Sequence, residues 1–551
     1  MQLTGVQIIM ECLKRESVDT VFGYPGGKVI KLYDALYDER STIRHIETAH
    51  EQGASHAADG YARATGKVGV CIATSGPGCT NLVTGLATAY MDSIPVVAIT
   101  GNVPASLLGT DSFQEVDIMG VSMPITKHNY QIKDITKISD VFREAFAFAR
   151  CGRPGPVLID ITSDIFTQVC EYTPPESDYS IACKYSDIPA QDIKVLIDKA
   201  EKPVILAGGG VVLSGASDEL FKLAEHIDAP VACTLMGVSS FPSKHPLYMG
   251  MVGMHGTKAS NMAFQNCDLL IVLGARFSDR VTGDVSKFAS HAKIIQIDID
   301  ASEVNKNIPT HVHVIQDIKT ALTQLNPLMP QKKHPEWVKS INEWKAENEA
   351  HIPEGHLPKQ IMEAINERLG EDTIIVTDVG QHQMWTAQYY PFKKHDKFLT
   401  SGGLGTMGYG LGAAIGAQVA HPEKKVLHIT GDGCLRMNLN EMATTTRYNI
   451  PVVTILFDNN TLGMVRQWQT LLFNKRYSET TLPSMDFCAI ARGFGYFAQK
   501  IDNVEAFRQA LQAALSHQGP SLIHCVIDQD TMVLPMVPPG AAIDNILMNI
   551  S

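Results

Sequence analysis

Short apolar runs alternate with amphipathic stretches along this chain. The runs GVCIAT (69–74) and PVVAIT (95–100) are rich in β-branched residues and predict strands, whereas TNLVTGLATAYM (80–91) between them predicts a helix. This alternation is typical of βα units, whose parallel strands are apolar because both sheet faces are covered. We therefore expect an α/β fold built from open parallel sheets.

Two polar breaks divide the pattern into blocks. One is the proline-bearing CEYTPPESDYS (170–180), and the other is the charged segment 329–356. Strand-like runs such as PVILAGGG (203–210) lie between the breaks, and others such as KKVLHITGDG (424–433) follow the second. The sequence predicts three α/β domains at 1–165, 189–328 and 357–530, linkers at 166–188 and 329–356, and a tail at 531–551.

Composition narrows the possible classes of protein. Hydrophobic residues make up 45% and charged residues 19%, which excludes wholesale disorder. The net charge of −12, without a basic stripe, argues against nucleic-acid binding. No apolar run approaches the roughly 18–20 residues of a membrane span, and the N-terminus reads as an amphipathic helix without signal-peptide features. Eleven cysteines, scattered without a Cys-x-x-Cys pair, predict free thiols and a cytoplasmic location.

Polar residues follow two strands of the third block. Gly431-Asp432-Gly433 ends one strand, and Asn459 ends the next. A carboxylate and an amide at neighbouring strand ends could supply oxygen ligands to Mg²⁺, and the glycines allow backbone N–H groups to approach a diphosphate at a helix N-terminus. Most isolated Gly-Asp-Gly triplets are turns, but the order strand, triplet, helix, strand, Asn459 favours a metal–diphosphate site. By contrast, the alternate His311 and His313 on a strand-like run are interpreted as structural.

The third block resembles the diphosphate-binding domain of thiamine diphosphate enzymes. The resemblance implies that the side chains of Asp432 and Asn459 and the backbone carbonyl of Thr461 bind Mg²⁺. The first block, with VFGYPGG (21–27), AHEQGA (49–54) and ATSGPGCTN (73–81), is similar to the pyrimidine-binding domain of the same enzymes. In them a glutamate protonates the aminopyrimidine ring of a cofactor held by another chain. Glu51 is the implied glutamate, and the implied assembly is a homodimer or homotetramer.

A narrower resemblance covers nearly the whole chain. The sequence is similar to the catalytic subunits of acetohydroxyacid synthases at segments that include FGYPGG, GTDSFQEVD, GMVGMHGT, GARFSDRVTG, DVGQHQMW and LGMVRQWQ. The implied activity is decarboxylation of pyruvate and transfer of the two-carbon unit to pyruvate or 2-ketobutyrate, in branched-chain amino-acid synthesis. The implied cofactors are thiamine diphosphate, Mg²⁺ and FAD, and a regulatory subunit is a possible partner. The flavin of this family does no net redox work in the main reaction.

The resemblance also assigns roles to individual residues. Phe113 and Gln114 would line the substrate channel of the neighbouring chain, and Arg280 would pair with the carboxylate of the second substrate. Met464, Val379 and Trp468 would shape the second-substrate pocket. The other implied cofactor contacts are Gly26, Gly380, Gln381, His382, Met407, Gly431, Gly433 and Cys434. The implied FAD contacts are Arg153, Gly209, His255, Arg276, Asp298 and Asp317.

The chain departs from the family at three positions. Ser163 stands where the family has a lysine, and Cys434 and Leu435 replace a serine and an aromatic residue. These changes leave Glu51 and Asp432 in place but put the acceptor in question. Three alternatives therefore stay open: a carboligase with another acceptor such as an aldehyde, a weakly active cofactor-binding paralogue, and a flavin-dependent pyruvate oxidase. Arg280 and Trp468 favour a site for a second keto acid over an oxidase.

Overall fold

The computed structural model describes residues 1–174, 181, 185–393 and 396–549. It contains three six-stranded sheets in which every strand pair is parallel, and helices cover their faces. The predicted α/β class with three open parallel sheets is confirmed. Residues 175–180 and 182–184 of the predicted linker 166–188, and the last two residues of the predicted tail 531–551, lie outside the described residues.

The N-terminal domain has the strand order β3-β2-β4-β5-β7-β6. Its elements are β1 Gln2–Thr4, α1 Gly5–Arg15, β2 Thr20–Gly23, α2 Ile30–Asp38, β3 Arg44–Glu47, α3 Glu51–Thr65, β4 Gly69–Ala73, α4 Pro77–Thr80, α5 Val83–Asp92, β5 Val96–Asn102, α6 Ile118–Ser122, β6 His128–Ile132, α7 Ile138–Arg150, β7 Val157–Thr162 and β8 Val169–Glu171.

The central domain has the order β11-β10-β9-β12-β13-β14. In sequence this is 3-2-1-4-5-6, the order of dinucleotide-binding α/β domains, whose ligands lie beyond the first and fourth strands. Its elements are α8 Ala190–Lys199, β9 Pro203–Ala207, α9 Gly209–Leu213, α10 Ser217–Ile227, β10 Val231–Cys233, β11 Tyr248–Met251, α11 Lys258–Asn266, β12 Leu269–Leu273, α12 Asp279–Thr282, β13 Lys293–Asp298, β14 Val312–Ile315 and α13 Ile318–Leu325; helix α14, Pro335–Ala350, follows within the predicted second linker.

The C-terminal domain has the order β16-β15-β17-β18-β20-β19. When the strands of each six-stranded sheet are numbered from 1 to 6 along the chain, both the N-terminal and the C-terminal sheet have the order 2-1-3-4-6-5. Its elements are α15 Leu357–Arg368, β15 Ile374–Thr377, α16 Gln381–Tyr389, β16 Lys397–Leu399, α17 Tyr409–Ala420, β17 Val426–Gly431, α18 Asp432–Asn438, α19 Met442–Arg447, β18 Val453–Asp458, α20 Gly463–Leu472, α21 Phe487–Gly493, β19 Phe497–Ile501, α22 Val504–Ser516 and β20 Ser521–Val526.

Helices α3 and α17 join the N-terminal and C-terminal domains. Their backbones approach so closely that a Cβ atom on Gly60 would overlap the carbonyl of Ala413, and one on Gly416 would overlap the carbonyl of Ala57. The same region buries charge, because the Arg63 guanidinium pairs with Asp59 at 2.6 Å and with Asp92 at 2.9 Å. The two domains are therefore packed backbone against backbone around a compensated ionic cluster.

Asp92 extends this cluster to the glycine-rich segment before α17. Its carboxylate accepts the N–H groups of Gly402 at 3.0 Å and Gly403 at 2.7 Å. The guanidinium of Arg63 also donates to the carbonyl of Thr400 at 3.0 Å. The loop that leads to Met407 is thus fixed by side chains of the N-terminal domain.

The chain termini and the thiols differ from expectation in detail. The N-terminus is not helical from the start, because β1 pairs antiparallel with β8 at the beginning of the predicted linker, and the Thr4 hydroxyl then caps α1. Nine cysteines of the described residues are free, but Cys151 is disulfide-bonded, so the prediction of free thiols is wrong for Cys151. None of the helices within the described ranges has both the length and the apolar character that a membrane span needs.

Candidate active site

Two predicted metal ligands lie at one edge of the C-terminal sheet. Asp432 is the first residue of α18, directly after β17, and Asn459 directly follows β18. Strands β17 and β18 are adjacent and parallel, so their carboxyl ends meet at the same edge. Both side chains are buried. The sequence and the topology therefore bring a carboxylate and an amide together at a helix N-terminus.

The carboxylate of Asp432 is only partly satisfied by the described residues. Its Oδ2 atom is buried without a hydrogen-bond partner. Burial, together with the neighbouring Asp458, raises the pKa of Asp432 to about 7. Burial acts in the same sense on Asp458, but the hydrogen bond from His524 Nε2 at 2.6 Å holds the pKa of Asp458 below its usual value. A buried, unpaired carboxylate oxygen fits a divalent cation, which would satisfy it.

Hydrogen bonds orient the amide ligand. Asn459 Nδ2 donates to Gln381 Oε1 at 3.1 Å, and the Thr461 N–H donates to Asn459 Oδ1 at 3.3 Å. Gln381 is held in turn, because its Nε2 donates to the carbonyl of Thr531 at 2.9 Å. Gln381, Asn459 and Thr461 are thus brought together as the sequence predicts, with their side chains locked by neighbours.

Glycines keep the surroundings of this edge free of side chains. Gly380 has φ +150°, and a Cβ atom on Gly431 would lie 2.9 Å from His382 Nδ1. A Cβ atom on Gly433 would lie 2.8 Å from a methyl of Leu462 and 3.5 Å from Cε of Met407. The strand ends β15 and β17 are where the strand order reverses, the usual position of a phosphate-binding cradle in such sheets. The backbone here fits a diphosphate.

Two further predicted contacts border the cradle. Burial lowers the pKa of His382 to about 4, so the imidazole is neutral, and its Nε2 has no partner among the described residues. The Cys434 thiol donates to the carbonyl of Val379 at 3.1 Å. Cysteine at this position therefore makes the hydrogen bond that a serine hydroxyl could make.

Glu51 lies at the carboxyl edge of the N-terminal sheet. It is the first residue of α3, is 8% exposed, and accepts a hydrogen bond from Asn81 Nδ2 at 3.0 Å through Oε2. Gly26 packs against the side chain of Thr74 at the point where β2 and β4 end. Asn81 was not predicted as a site residue, although it closes the motif ATSGPGCTN, which is the signal that could have identified it.

A cleft of about 1700 Å³ lies between the domains. Val379, Gly380, Met464, Trp468 and Arg280, all predicted at the cofactor or the second substrate, line part of it. The six predicted FAD contacts also line it: Arg153, Gly209, His255, Arg276, Asp298 and Asp317. The structure thus brings the predicted FAD residues and most of the acceptor residues into one cavity, whereas Glu51, Asp432 and Asn459 are not among its lining.

The end of the cleft with the predicted FAD contacts lies where the strand order of the central sheet reverses. Gly208 and Gly274 follow β9 and β12, and a Cβ atom on Gly208 would overlap the carbonyl of Gly274. Burial raises the pKa of Asp298 to about 6 and lowers that of His255 to about 4. His255 Nδ1 and Glu303 Oε2 are buried without partners among the described residues. Unpaired polar atoms around a glycine turn fit a dinucleotide.

Four of the predicted FAD residues already have protein partners, one of them being Asp298, whose Oδ1 accepts the Asp300 N–H at 3.0 Å. Arg153 pairs with Glu303 at 3.0 Å, and Arg276 donates to the carbonyl of Met91 at 2.7 Å. Asp317 caps α13 by accepting the Thr320 N–H at 2.9 Å. Helix capping is therefore a sufficient explanation for Asp317, whereas the arginines hold the central domain against the N-terminal one at the cleft.

Of the two predicted channel residues, Phe113 is exposed and Gln114 is half-buried. Phe113 is 82% exposed, and Gln114, with φ +63°, follows it in the loop before α6. The Arg280 side chain is 67% exposed, and its nearest acid is Asp279 at 3.3 Å. Ser163 lies at the end of β7, where its N–H donates to the carbonyl of Asn102 at 3.1 Å. The structure does not bring Phe113 or Gln114 to the cleft of their own chain.

Comparisons with known proteins give the family of the chain. Three family models of thiamine pyrophosphate (thiamine diphosphate) enzymes match: the N-terminal binding domain at 3–121, the central domain at 190–325 and the C-terminal binding domain at 378–525. A probable acetolactate synthase large subunit of Methanocaldococcus jannaschii is 48% identical, over 100% of this chain and 96% of its own length.

The alignment with a second relative spans the full length of both proteins. The acetolactate synthase isozyme 2 large subunit of Escherichia coli is 44% identical over 100% of each chain. Isozyme 1 of the same organism is 44% identical over 98% of this chain and 97% of its own. The resemblance inferred from the motifs is confirmed. The chain therefore belongs to the acetolactate synthase large-subunit family of thiamine pyrophosphate enzymes.

Proposed function

We propose that the chain is the catalytic subunit of an acetolactate synthase of branched-chain amino-acid synthesis. It converts two pyruvate anions and one proton into 2-acetolactate and CO2, and it accepts 2-ketobutyrate as the second substrate. The observation that carries this proposal is the buried, unpaired Oδ2 of Asp432 beside Asn459, in a chain that is 48% identical to a named relative over its whole length.

The side chains of Asp432 and Asn459 and the carbonyl of Thr461 would hold Mg²⁺. Gly431, Gly433 and the N-terminus of α18 would receive the diphosphate, and Met407 and His382 would flank the rest of the cofactor. When bound, thiamine diphosphate supplies a carbon nucleophile that adds to the ketone of pyruvate and accepts the electron pair released with CO2. Support comes from the close packing at Gly433 and from the neutral imidazole of His382.

Glu51 is the catalytic acid. Its carboxyl holds a proton for the aminopyrimidine ring of a cofactor bound to the partner subunit. Asn81 fixes Oε2 at 3.0 Å, which leaves Oε1 to carry the proton. Burial at a helix N-terminus excludes bulk water from this transfer, and a positioned proton donor accounts for about 10²–10⁴-fold in rate.

The second keto acid binds in the cleft. The planar guanidinium of Arg280 pairs with its carboxylate, and Met464, Val379 and Trp468 enclose its alkyl group. His255 and Asp298 would hold FAD at the end of the cleft that they line, so FAD and the acceptor would share one cavity.

The active assembly is a homodimer or a homotetramer. Phe113 and Gln114 reach the channel of the partner subunit, which accounts for the exposure of Phe113. The relatives are named large subunits, and we propose a smaller regulatory partner for this chain as well. The domain boundaries at residues 165, 189, 328 and 357 and the cytoplasmic location are parts of the same proposal.

The test is turnover by the purified protein with pyruvate, thiamine diphosphate, Mg²⁺ and FAD. We expect acetolactate and CO2 in equal amounts, and a mixed product when 2-ketobutyrate is added. Glu51→Gln should lower kcat by about 10²-fold or more. Trp468→Leu should change the preference between the two acceptors by about tenfold, because an alkyl contact discriminates by that amount.

Ser163 makes one other result informative. If no acetolactate forms but an added aldehyde yields product, the chain is a related carboligase with another acceptor, which the missing lysine charge would explain. If neither forms and the cofactor still binds, the chain is a cofactor-binding paralogue. Consumption of pyruvate with reduction of the flavin would identify an oxidase.

A further inference from the structure

A carboxyl group of the C-terminal domain contacts the turn that carries Glu51. Glu441, in the single helical turn between α18 and α19, is completely buried. Its Oε2 accepts the N–H of Ala49 at 3.1 Å. Ala49 lies in the short connection between β3 and α3 of the N-terminal domain, directly before the first turn of α3. The two domains are therefore hydrogen-bonded next to the proposed catalytic acid.

The carboxyl of Glu441 is itself fixed by two neighbours. The Thr444 hydroxyl donates to Oε2 at 2.7 Å and also accepts the Ala49 N–H at 3.1 Å. Asn440 Nδ2 donates to Oε1 at 3.2 Å. On the other side, a Cβ atom on Gly53 would overlap this carboxyl, so only glycine fits there. Glu441 is held tightly against the first turn of α3.

The rest of the connection is anchored to its own sheet. The Thr48 N–H donates to the carbonyl of Gly23 at 3.1 Å, and the Thr48 hydroxyl donates to the carbonyl of His50 at 2.9 Å. The N–H groups at the start of a helix have no partners within the helix. The Ala49 N–H, one residue before the N-cap His50, likewise has no partner within the helix, and Glu441 supplies its acceptor from another domain.

We infer that Glu441 is a positioning residue for Glu51. It fixes the first turn of α3 and so sets where the Glu51 carboxyl stands; it does not itself touch substrate or cofactor. The inference rests on the proposed function of Glu51. A displacement of about 1 Å at a catalytic group costs about 10²-fold in rate, so loss of this anchor affects turnover far more than folding.

The test compares three full-length variants. Glu441→Ala removes the acceptor, and Glu441→Gln retains one amide oxygen for the Ala49 N–H. Asp396→Asn is the matched control, because Asp396 is also buried and accepts a backbone N–H, that of Thr373 at 3.0 Å. The readouts are amide hydrogen exchange of residues 48–54 without cofactor, the near-ultraviolet circular dichroism of bound thiamine diphosphate, and kcat and KM for pyruvate.

For Glu441→Ala we expect exchange of 48–54 to accelerate about tenfold or more, since its external acceptor is lost, with kcat at least about tenfold lower and KM within about twofold. The dichroism of the bound cofactor should change. In Glu441→Gln the exchange rate of 48–54 should return to that of the parent, and most of kcat should be restored. Asp396→Asn should change neither quantity.

The inference is overturned if Glu441→Ala leaves exchange of 48–54 unchanged, or if exchange accelerates while kcat and the dichroism stay as in the parent. The inference is also overturned if Glu441→Ala and Asp396→Asn lose kcat equally and each loss matches the decrease in the amount of folded protein. Failure of the proposed function looks different: the parent protein then forms no acetolactate, while exchange of 48–54 and cofactor dichroism still report on Glu441.

Discussion

At the scale of single residues, the buried acids of the C-terminal domain separate into two kinds. Burial alone would raise the pKa of Asp378, but the hydrogen bond from His428 Nε2 at 2.9 Å and further donors lower it overall. Asp432 has no such donor on Oδ2 and keeps a raised pKa. Asp378 is therefore a structural acid whose hydrogen bonds are satisfied, whereas Asp432 has an oxygen open for coordination.

Asp432→Asn tests that distinction. The substitution removes the anionic ligand while keeping the shape of the side chain, so we expect affinity for thiamine diphosphate in the presence of Mg²⁺ to fall about 100-fold or more. Isothermal titration with both ligands measures it. Asp396→Asn, at a satisfied buried acid, should bind as the parent does. Equal affinity in Asp432→Asn would remove Asp432 from the metal site.

Glu441 makes the stability of the unloaded protein depend on pH. Burial raises the pKa of Glu441 from 4.5 to about 7, so the folded chain holds this proton more tightly than the unfolded chain does. The stabilisation from this group is complete below pH 4.5 and is lost as the pH rises through 7.

Glu441→Gln removes this titration. Relative to the parent, the variant should therefore gain melting temperature as the pH increases from about 5 to about 8. Thermal unfolding of both proteins without cofactor across that range provides the measurement. A difference in Tm that does not vary with pH would show that Glu441 does not titrate in this window.

At the scale of elements, helices α3 and α17 decide how two of the domains meet. Gly60 and Gly416 allow each backbone to contact the other, and a side chain at either position would meet a carbonyl oxygen, which cannot give way as a flexible side chain can. These glycines are therefore required for packing rather than for a turn.

Gly416→Ala should consequently destabilise the protein. Overpacking at a close contact costs about 1–3 kcal/mol, which corresponds to a decrease in Tm of about 2–12 °C for a domain of roughly 150–250 residues. Gly370→Ala is the matched control, because a Cβ atom at Gly370 in the same domain meets nothing within 4 Å. If both variants melt at the same temperature, the helix contact is looser than described.

The sequence predicts the central strands better than the edge strands. β17 and β18 are buried on both faces and stand out as largely apolar runs, whereas the edge strands β6 and β19 are partly exposed and mix polar with apolar residues. The metal ligands follow central strands, and for that reason they could be predicted from the sequence. The role of Glu441 could not be predicted, because its partner Ala49 lies in another domain and no local pattern relates the two.

At the scale of the whole molecule, the first and third domains repeat one strand order and the central domain follows another. Glu51 lies at the carboxyl edge of the first sheet and Asp432 at that of the third, while the large cleft borders the central one. The cleft arises from all three domains, so its lining could be predicted only through the resemblance of motifs and not from any one segment.

The exposure of Phe113 leads to a prediction about assembly. We expect a dimer or tetramer by light scattering after size exclusion, and Phe113→Asp should shift the mass towards the single chain and lower activity, because it would bury a charge at an apolar contact. Leu328→Asp places the same charge on another exposed apolar residue and should leave the mass unchanged. Identical masses for both variants would place Phe113 outside the interface.

The contact between α3 and α17 also limits how the gene can be recombined. Gly60 and Gly416 match one another across domains, and so do Asp59 of α3 and Tyr409 of α17, whose hydroxyl donates to the Asp59 carboxylate at 2.6 Å. A chimaera that takes its first domain from one relative and its third from another inherits half of each match. Crossovers that exchange α3 and α17 as a pair keep both contacts. Among the folded members of a shuffled library, we therefore expect an excess of chimaeras that carry both helices from the same parent.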